Sequence, residues 1–257
     1  MSSAPVTTRP VEDAADRKAF VDLAFELNKD DPNWVPPLKT EVHGLIDDRT
    51  NPWFEHAEAR FFLAERSGRP VGRISAQVDQ AVLQHLGPGI GQWGMFEAAD
   101  AEVAAELFAR AEDFLRGRRM KVSQGPYSLS IWDEPGLLVK GFDHAPTVMM
   151  GHNSPRYEAW VEAAGYSQVK DLYTYDVDVS KGFPPIVQRI VASGERNPRI
   201  RIRRVDKKRF DDEAALILGI LNNAWSDNWG FIPLSDEEIA YAGKKLKPIV
   251  YEELIRV

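Results

Sequence analysis

The stretch FFLAERSGRPVGRISAQVD (Phe61 to Asp79) decides the fold class, because it combines two strand patterns with a turn between them. Its second half alternates apolar and polar residues, with Ile74, Ala76 and Val78 set against Arg73, Ser75 and Gln77. A period of two is typical of a half-buried strand. Ser67 to Pro70 supplies the turn. The stretch therefore predicts an antiparallel hairpin with one face on the core.

Helical and strand patterns flank this hairpin on both sides. Apolar residues recur at helical spacing at Phe20, Leu23, Ala24 and Leu27, and again at Val103, Leu107, Ala111 and Phe114. Further strands are predicted at Lys121 to Gln124 and at KDLYTYDVDV (Lys170 to Val179), with a helix at SPRYEAWVEAAGY (Ser154 to Tyr166) between them. The pattern predicts an α/β fold with a mixed, mostly antiparallel twisted sheet flanked by helices.

One phrase occurs twice, as DPNWVPPL (Asp31 to Leu38) and as DNWGFIPL (Asp227 to Leu234). RIRIRR, at 199–204, reads as a strand that repeats the opening strand, and an apolar helix precedes each copy of the phrase. The repeat predicts a complete lobe at 1–180, a linker at 181–198 and the opening of a second, incomplete lobe at 199–257. The unpaired faces of that incomplete lobe predict self-association or disorder near the C-terminus.

Composition excludes several classes of protein. A net charge of −7 and a pI near 5.4 argue against nucleic-acid binding, and the absence of cysteine removes disulfides and thiolate chemistry. The longest apolar run, AALILGIL (Ala214 to Leu221), is too short to span a bilayer, and the N-terminus lacks a signal-peptide pattern. We therefore expect a cytoplasmic protein with no membrane partner.

Three stretches, in this order, resemble the GNAT superfamily of acyl-CoA-dependent N-acyltransferases. They are the hairpin at Phe61 to Asp79, AAELFARAEDFLRGRRM (Ala104 to Met120) and the helix at Ser154 to Tyr166. The resemblance covers Val6 to Val179, and the repeat makes it a tandem-lobe type with a truncated second lobe. It implies acyl transfer from acetyl-CoA or another acyl-CoA to a small-molecule amine.

In that family, two parallel strands splay apart to bind the pantetheine arm, and the loop entering the long helix binds the pyrophosphate. The resemblance places Met95, Phe96 and Glu97 at this cofactor strand. Here the loop reads EAADAE (Glu97 to Glu102), without glycine and with three acids that repel phosphate. We therefore expect a degenerate CoA loop, and a first lobe that serves acceptor binding or scaffolding.

The insertion between Gly125 and Asn153 concentrates aromatic and polar residues where the family's cleft would be. Long loops of this composition often bind ligands. Substrate contact and lobe packing both remain open for it. The candidate substrate-binding residues are Trp34, Tyr127, Ser128, Ser130, Trp132, Asp133, Glu134, Asn153 and Tyr157.

Two of these candidates have an alternative interpretation. Tyr157 is either a packing residue or a substitute for the family's proton-donating tyrosine, which the pattern would place at Val161. Trp34 either lines an acceptor pocket or anchors its turn on its own sheet. No catalytic residue and no metal site can be assigned, because the histidines lack ligand spacing. The alternative function is a non-catalytic module of GNAT fold that binds a small molecule or another protein.

Overall fold

The computed structural model describes residues 4–147 and 149–257, which form two compact units. The first unit runs to Gln168 and also includes Trp225–Pro233. The second unit consists of Val169–Ala224 and Leu234–Val257. No helix in the described ranges combines the length and the apolar character that a bilayer crossing requires.

The first unit alternates strands and helices along the chain. Its strands are β1 (Val6–Pro10), β2 (Ala57–Arg66), β3 (Arg69–Asp79), β4 (Ile90–Ala98) and β5 (Val122–Gln124). Its helices are α1 (Ala14–Leu27), α2 (Lys39–Leu45), α3 (Gln80–His85), α4 (Ala101–Gly117) and α5 (Tyr157–Ala163). Side chains of Asp13 and Asp100 accept backbone N–H groups at the starts of α1 and α4, which fixes where these two helices begin.

The five strands form one sheet in the order β1-β2-β3-β4-β5. Neighbours from β1 to β4 are antiparallel, whereas β4 and β5 are parallel. The β2–β3 hairpin turns through Ser67 and Gly68, whose φ angles of 53° and 73° suit a two-residue turn. The predicted fold class, a mixed and mostly antiparallel sheet flanked by helices, is confirmed.

The sheet separates two apolar clusters because successive side chains point to opposite faces. Phe62 joins the cluster under α4 and α5, while Leu63 joins the cluster under α1. Trp93 lies at the centre of the first cluster with no exposed surface and contacts the rings of Phe96 and Phe108. Both faces of the central strands are therefore covered.

The strand β3 departs from the half-buried pattern that its sequence predicts. Ser75 and Gln77 are 0% exposed, although they alternate with the apolar residues. Gln77 Nε2 donates to the carbonyl oxygen of Tyr127 at 2.9 Å, and Arg73 Nη1 donates to that of Phe20 at 2.9 Å. The polar face is buried because α1 and the chain after β5 cover it, so the prediction of a solvated face was wrong.

A bulge interrupts β4 where its pairing with β3 shifts register. Met95 has a φ of 46°, and the extra residue moves Met95 into the cluster under α1 while Phe96 stays with Trp93. Just before the bulge, the chain after β5 crosses Gly94. An added Cβ at Gly94 would lie 1.6 Å from the carbonyl oxygen of Tyr127, so this crossing requires glycine.

Two predicted strands are absent from the described chain. Lys170 to Val179 forms no strand, and Tyr173 and Tyr175 are exposed. RIRIRR forms only an isolated bridge between Arg204 and Arg256. Alternation predicts a strand only where another strand supplies hydrogen bonds, and no described strand lies beside either segment.

The second unit contains α6 (Pro185–Glu195), α7 (Phe210–Ala224) and α8 (Asp236–Leu246). Ser235 and Glu238 form a capping box that starts α8. Helices α7 and α8 pack together, whereas no residue of α6 is buried. The proposed linker at 181–198 and the lobe boundaries at 180 and 199 remain predictions.

Candidate functional site

The end of β4 carries a buried carboxylate that the fold ties to the first residue of α5. Tyr157 donates its hydroxyl hydrogen to Glu97 Oε2 at 2.7 Å. The same hydroxyl oxygen accepts the backbone N–H of Ala98 at 3.1 Å. Glu97 is 7% exposed and Tyr157 is 2% exposed. The hydroxyl of Tyr157 thus satisfies the backbone N–H at the end of β4, which is not left free for a ligand.

Two residues that sequence reasoning did not select complete this network. Asn28, the C-cap of α1, donates from Nδ2 to Glu97 Oε1 at 3.1 Å. Arg73 Nη2 lies 3.9 Å from Glu97 Oε1, and the guanidinium lies 5.0 Å from the centre of the Phe20 ring. We call Asn28, Arg73, Glu97 and Tyr157 the Glu97 network.

Burial controls the ionisation of this network. It raises the pKa of Glu97 above the ordinary value, and the nearby Arg73, Tyr157 and Asn28 oppose that rise. Burial also lowers the pKa of Arg73 and, together with the negative charge of Glu97, raises that of Tyr157. The tyrosine therefore remains a hydroxyl and a hydrogen-bond donor throughout the physiological pH range.

We expect the pH dependence of stability to reveal Glu97. The pKa of Glu97 in the folded state lies above the unfolded value of 4.5. In the window between these two pKa values, the folded state therefore binds the proton more tightly than the unfolded state does. The unfolding free energy should fall as pH rises through the window, and Glu97→Gln should remove this fall. Urea unfolding of both proteins at a series of acidic to neutral pH values measures this difference in the pH dependence of the unfolding free energy.

Desolvation also raises the pKa of Glu134, so the contribution of Glu97 is the difference between the two proteins, in both of which Glu134 is present. The aspartates with lowered pKa, such as Asp16 and Asp22, act below their ordinary value of 3.8. If the difference in unfolding free energy between the two proteins stayed constant with pH, the pKa of Glu97 would not be raised in the folded state. Because Glu97→Gln also leaves Arg73 without its counter-charge, only the slope with pH is diagnostic, not the offset.

The start of α4 is closed by side chains of the chain itself. Asp100 Oδ1 accepts the N–H of Val103 at 3.1 Å, and Arg66 Nη1 lies 2.6 Å from Asp100 Oδ2. Arg66 Nη2 also contacts Glu102 Oε2 at 2.7 Å. The hydrogen bond from Arg66 holds the pKa of Asp100 below its ordinary value. A carboxylate thus occupies the position that would otherwise attract a phosphate.

These residues do not fit the acyl-CoA that the GNAT resemblance implies. A pyrophosphate at this helix would meet Asp100 and Glu102, and the pantetheine would compete with Tyr157 for the N–H of Ala98. Met95 and Phe96, the other predicted cofactor residues, are each 8% exposed and lie in opposite apolar clusters.

The predicted insertion begins with a tight internal turn. Ser130 Oγ donates to Asp133 Oδ2 at 2.7 Å, and the N–H of Ser128 donates to the carbonyl of Asp133 at 2.9 Å. Tyr127 is buried, with its carbonyl bonded to Gln77. Glu134 is exposed and has a φ of 44°. These five candidates are neighbours in the fold.

Trp132 projects from this turn onto the second copy of the repeated phrase. Its ring stacks on Trp225 with centroids 5.8 Å apart, and its Nε1 donates to the carbonyl of Ile232 at 2.9 Å. Phe231 meets the same ring edge-on at 5.6 Å. The contacts of Trp132 are thus packing contacts within the first unit.

The first copy of the phrase holds the far end of the insertion. His152 Nε2 lies 2.9 Å from Asp31 Oδ2, and Asn33 Nδ2 donates to the carbonyl of Phe142 at 3.0 Å. Asn153 bonds to the backbone of Leu138 as both donor and acceptor. Both copies of the repeated phrase therefore contact the insertion.

The structure brings together some of the candidates and separates others. Glu97 and Tyr157 meet directly, while Trp34 packs edge-on against Phe25 at 5.3 Å, which is its only described ring contact. Arg73 could have been found as a long cation within an otherwise small and apolar strand pattern. Asn28 has no signal beyond its position after a helix. Within the described ranges, no cluster of three or more His, Cys, Asp or Glu residues has the arrangement of a metal site.

Comparison with known proteins places the chain among bacterial relatives. No family model matches it. It is 42% identical over 256 residues to the bacterial ceramide synthase of Caulobacter vibrioides (strain NA1000 / CB15N), covering 99% of this chain and 66% of that protein. It is 35% identical over 244 residues to Protein YghO of Escherichia coli (strain K12), covering 94% of this chain and 62% of that protein. The chain thus spans slightly less than two thirds of these relatives.

Solved structures resemble it distantly. A tandem GNAT protein from the clavulanic acid biosynthesis pathway matches 62% of this chain and 43% of its own, at 14% identity and a TM-score of 0.41. An aminoglycoside acetyltransferase from an uncultured soil metagenomic sample matches 67% of this chain and 95% of its own, at 8% identity and a TM-score of 0.40.

Up to β5, the first unit follows the topology that the sequence resemblance implied, whereas the closing strand expected at 170–179 is not formed. A long helix, α4, follows the antiparallel strands β1 to β4, and β5 then pairs in parallel with β4 over only three residue pairs. The GNAT superfamily therefore stays a resemblance that is carried by the sequence motifs and by this sheet topology.

Proposed function

We propose that this chain is part of an N-acyltransferase that joins an acyl group from acyl-CoA to an amine. In this proposal the first unit provides acceptor binding or scaffolding and does not itself bind acyl-CoA. The GNAT fold supports the reaction class, and the 42% identity to a ceramide synthase supports it independently.

One observation carries the assignment of the first unit. The hydroxyl of Tyr157 bonds to both Glu97 and the N–H of Ala98, at the strand end where a GNAT cofactor would bind backbone. Asp100 and Arg66 close the adjoining helix start in the same way. Both closures use groups that satisfy one another, so an incoming cofactor would have to break them.

We further propose that the acceptor is a long-chain amino alcohol. The Caulobacter relative is named a ceramide synthase, and a ceramide is an amide between a fatty acid and such an amino alcohol. The amine of this acceptor would attack the thioester carbonyl, so that the carbon–nitrogen bond forms as the carbon–sulfur bond breaks, and the proton lost by the nitrogen balances the thiolate, which leaves as the free thiol of CoA.

A non-catalytic module of the same fold is the second candidate. It is favoured by the Glu97 network, in which both carboxylate oxygens already accept hydrogen bonds. Under this alternative the network only joins α1, β4 and α5. Amide formation from acyl-CoA and a long-chain amino alcohol, measured with a polypeptide that spans the full length of the relatives, distinguishes the two candidates, because this chain is expected not to bind acyl-CoA by itself.

Calorimetry tests the assignment of the first unit. We expect this chain to give no saturable heat with acetyl-CoA or with a long-chain acyl-CoA, and no thermal shift with either. Saturable binding that is abolished by replacing Ala98 with proline, which removes the N–H, would contradict the proposal. If acyl-CoA bound and this replacement left the binding unchanged, the cofactor would bind away from the end of β4. The hydrogen bonds of Tyr157 to Glu97 and Ala98 would then still close that strand end.

A further inference from the structure

A basic and apolar surface lies in the second unit, apart from the Glu97 network. Between Lys181 and Arg209 the chain has ten Lys and Arg residues but only two acids, giving a formal charge of +8 in a chain whose total is −7. Charge is therefore strongly segregated along the sequence. The average composition of the chain conceals this segment.

Most of these cations are available to a partner. Three are neutralised locally, because Lys181 pairs with Asp178, Arg203 with Glu213 and Arg209 with Asp212. Six others are exposed and form no ion pair within residues 4–147 and 149–257. They are Arg189, Arg196, Arg199, Arg201, Arg204 and Lys208.

Helix α6 presents an uncovered apolar face within this basic segment. Phe183, Ile186 and Ile190 are 60%, 55% and 64% exposed. Ile186 and Ile190 lie four residues apart on one side of the helix, Phe183 lies just before the first turn, and Arg189 borders the same side. An aliphatic face left open in this way is usually an interaction surface.

The apolar face continues into the segment after the helix. An added Cβ at Gly194 would lie 4.0 Å from Cδ1 of Ile200, so Ile200 lies beside the apolar face of α6. Ile202 is 67% exposed and alternates with exposed arginines. We call Phe183, Ile186, Ile190, Ile200 and the six free cations the α6 surface.

We propose that the α6 surface binds the surface of an anionic lipid bilayer. Exposed cations in the same segment as exposed aliphatic side chains match the two parts of such a surface, which are anionic headgroups and acyl chains. Nucleic acid would use the cations and could stack a base on Phe183, but it would leave the three isoleucines unused, because bases stack on aromatic rings. This proposal departs from the expectation of no membrane partner, which depended on the lack of a spanning segment and of a signal peptide, and it concerns peripheral binding only. It is independent of the proposed acyl transfer.

Co-sedimentation of the full chain with vesicles tests the proposal. We expect binding to vesicles that contain equal parts of phosphatidylglycerol and phosphatidylcholine, and little binding to phosphatidylcholine alone. Replacing Arg189, Arg196, Arg199 and Arg201 with glutamate should weaken binding at least about a hundredfold, since each cation contributes about fivefold. Ile186→Ser with Ile190→Ser should weaken it about tenfold without changing the charge.

A matched control keeps the charge change and moves it elsewhere. Lys29, Arg69, Lys121 and Lys140 are exposed in the first unit and have no ion-pair partner in the described ranges. Replacing these four with glutamate should leave vesicle binding within about threefold of the unmodified chain. Circular dichroism of every variant establishes that the exposed substitutions leave the fold intact.

Several outcomes would overturn the proposal. They include equal binding to both kinds of vesicle, equal losses in the control and the arginine variants, and binding to duplex DNA that survives the isoleucine substitutions. Self-association in the absence of vesicles, abolished by the isoleucine substitutions, would assign the surface to a second copy of the chain instead.

Discussion

Replacing Gly94 with alanine is expected to lower the unfolding free energy by at least about 3 kcal/mol. The new Cβ would stand 1.6 Å from the carbonyl oxygen of Tyr127 and 2.3 Å from its carbonyl carbon. Both are backbone atoms, so no side-chain rotation relieves the clash. The chain after β5 would have to move away from β4, which would also break the hydrogen bond from Gln77.

Gly117→Ala provides the control, because nothing lies within 4 Å of a Cβ added at this last residue of α4. Alanine there should be neutral or stabilise by about 0.5–1 kcal/mol, since glycine is the weaker helix former. Thermal and urea unfolding of the two variants measure the contrast. Similar stabilities for both would mean that the chain does not cross β4 at Gly94.

Replacing Arg73 with methionine is expected to cost about 3–5 kcal/mol of stability. Methionine keeps much of the side-chain volume but removes the cation that faces Glu97 at 3.9 Å. Glu97 would remain buried with hydrogen bonds from Asn28 and Tyr157 and without a counter-charge. Loss of the bond from Arg73 to the carbonyl of Phe20 adds to the cost.

The double variant Arg73→Met with Glu97→Gln separates charge from packing. It removes both charges, so its stability should recover to within about 1–2 kcal/mol of the unmodified chain. A double variant as unstable as the sum of the singles would mean that Arg73 acts by packing on Phe20 rather than by compensating Glu97. Urea unfolding at neutral pH of all four proteins completes the cycle.

The sequence predicted the elements whose patterns depend on local spacing. The β2–β3 hairpin follows from its alternation and turn residues, and α4 follows from an apolar face at Val103, Leu107 and Ala111, all of which are buried. The sheet class and the GNAT topology follow from the order of these elements. Tyr157 and Glu97 were selected individually as candidates.

The burial of β3 and the assembly of the Glu97 network could not be predicted from the sequence, because both depend on contacts between residues that are distant in the chain. Alternation along β3 correctly gave opposite faces but wrongly made one of them solvated, because Gln77 is covered by residues about fifty positions later. The link between Glu97 and Tyr157 joins β4 to a helix sixty residues on, and Asn28 and Arg73 reach it from two further elements. The segment at 170–179 had the period of a strand without the neighbour that a strand requires.

The assignment of Trp225–Pro233 to the first unit has a practical consequence for dissecting the protein. A polypeptide ending at Gln168 would lack the partners of Trp132 and would expose that ring to solvent. Removal of the residues up to Gln168 would in turn leave α7 and α8 joined by a segment that has lost the residues it packs against. No single backbone cleavage divides this chain into two self-sufficient fragments, so a limited digest should yield pieces that unfold more readily than the intact polypeptide.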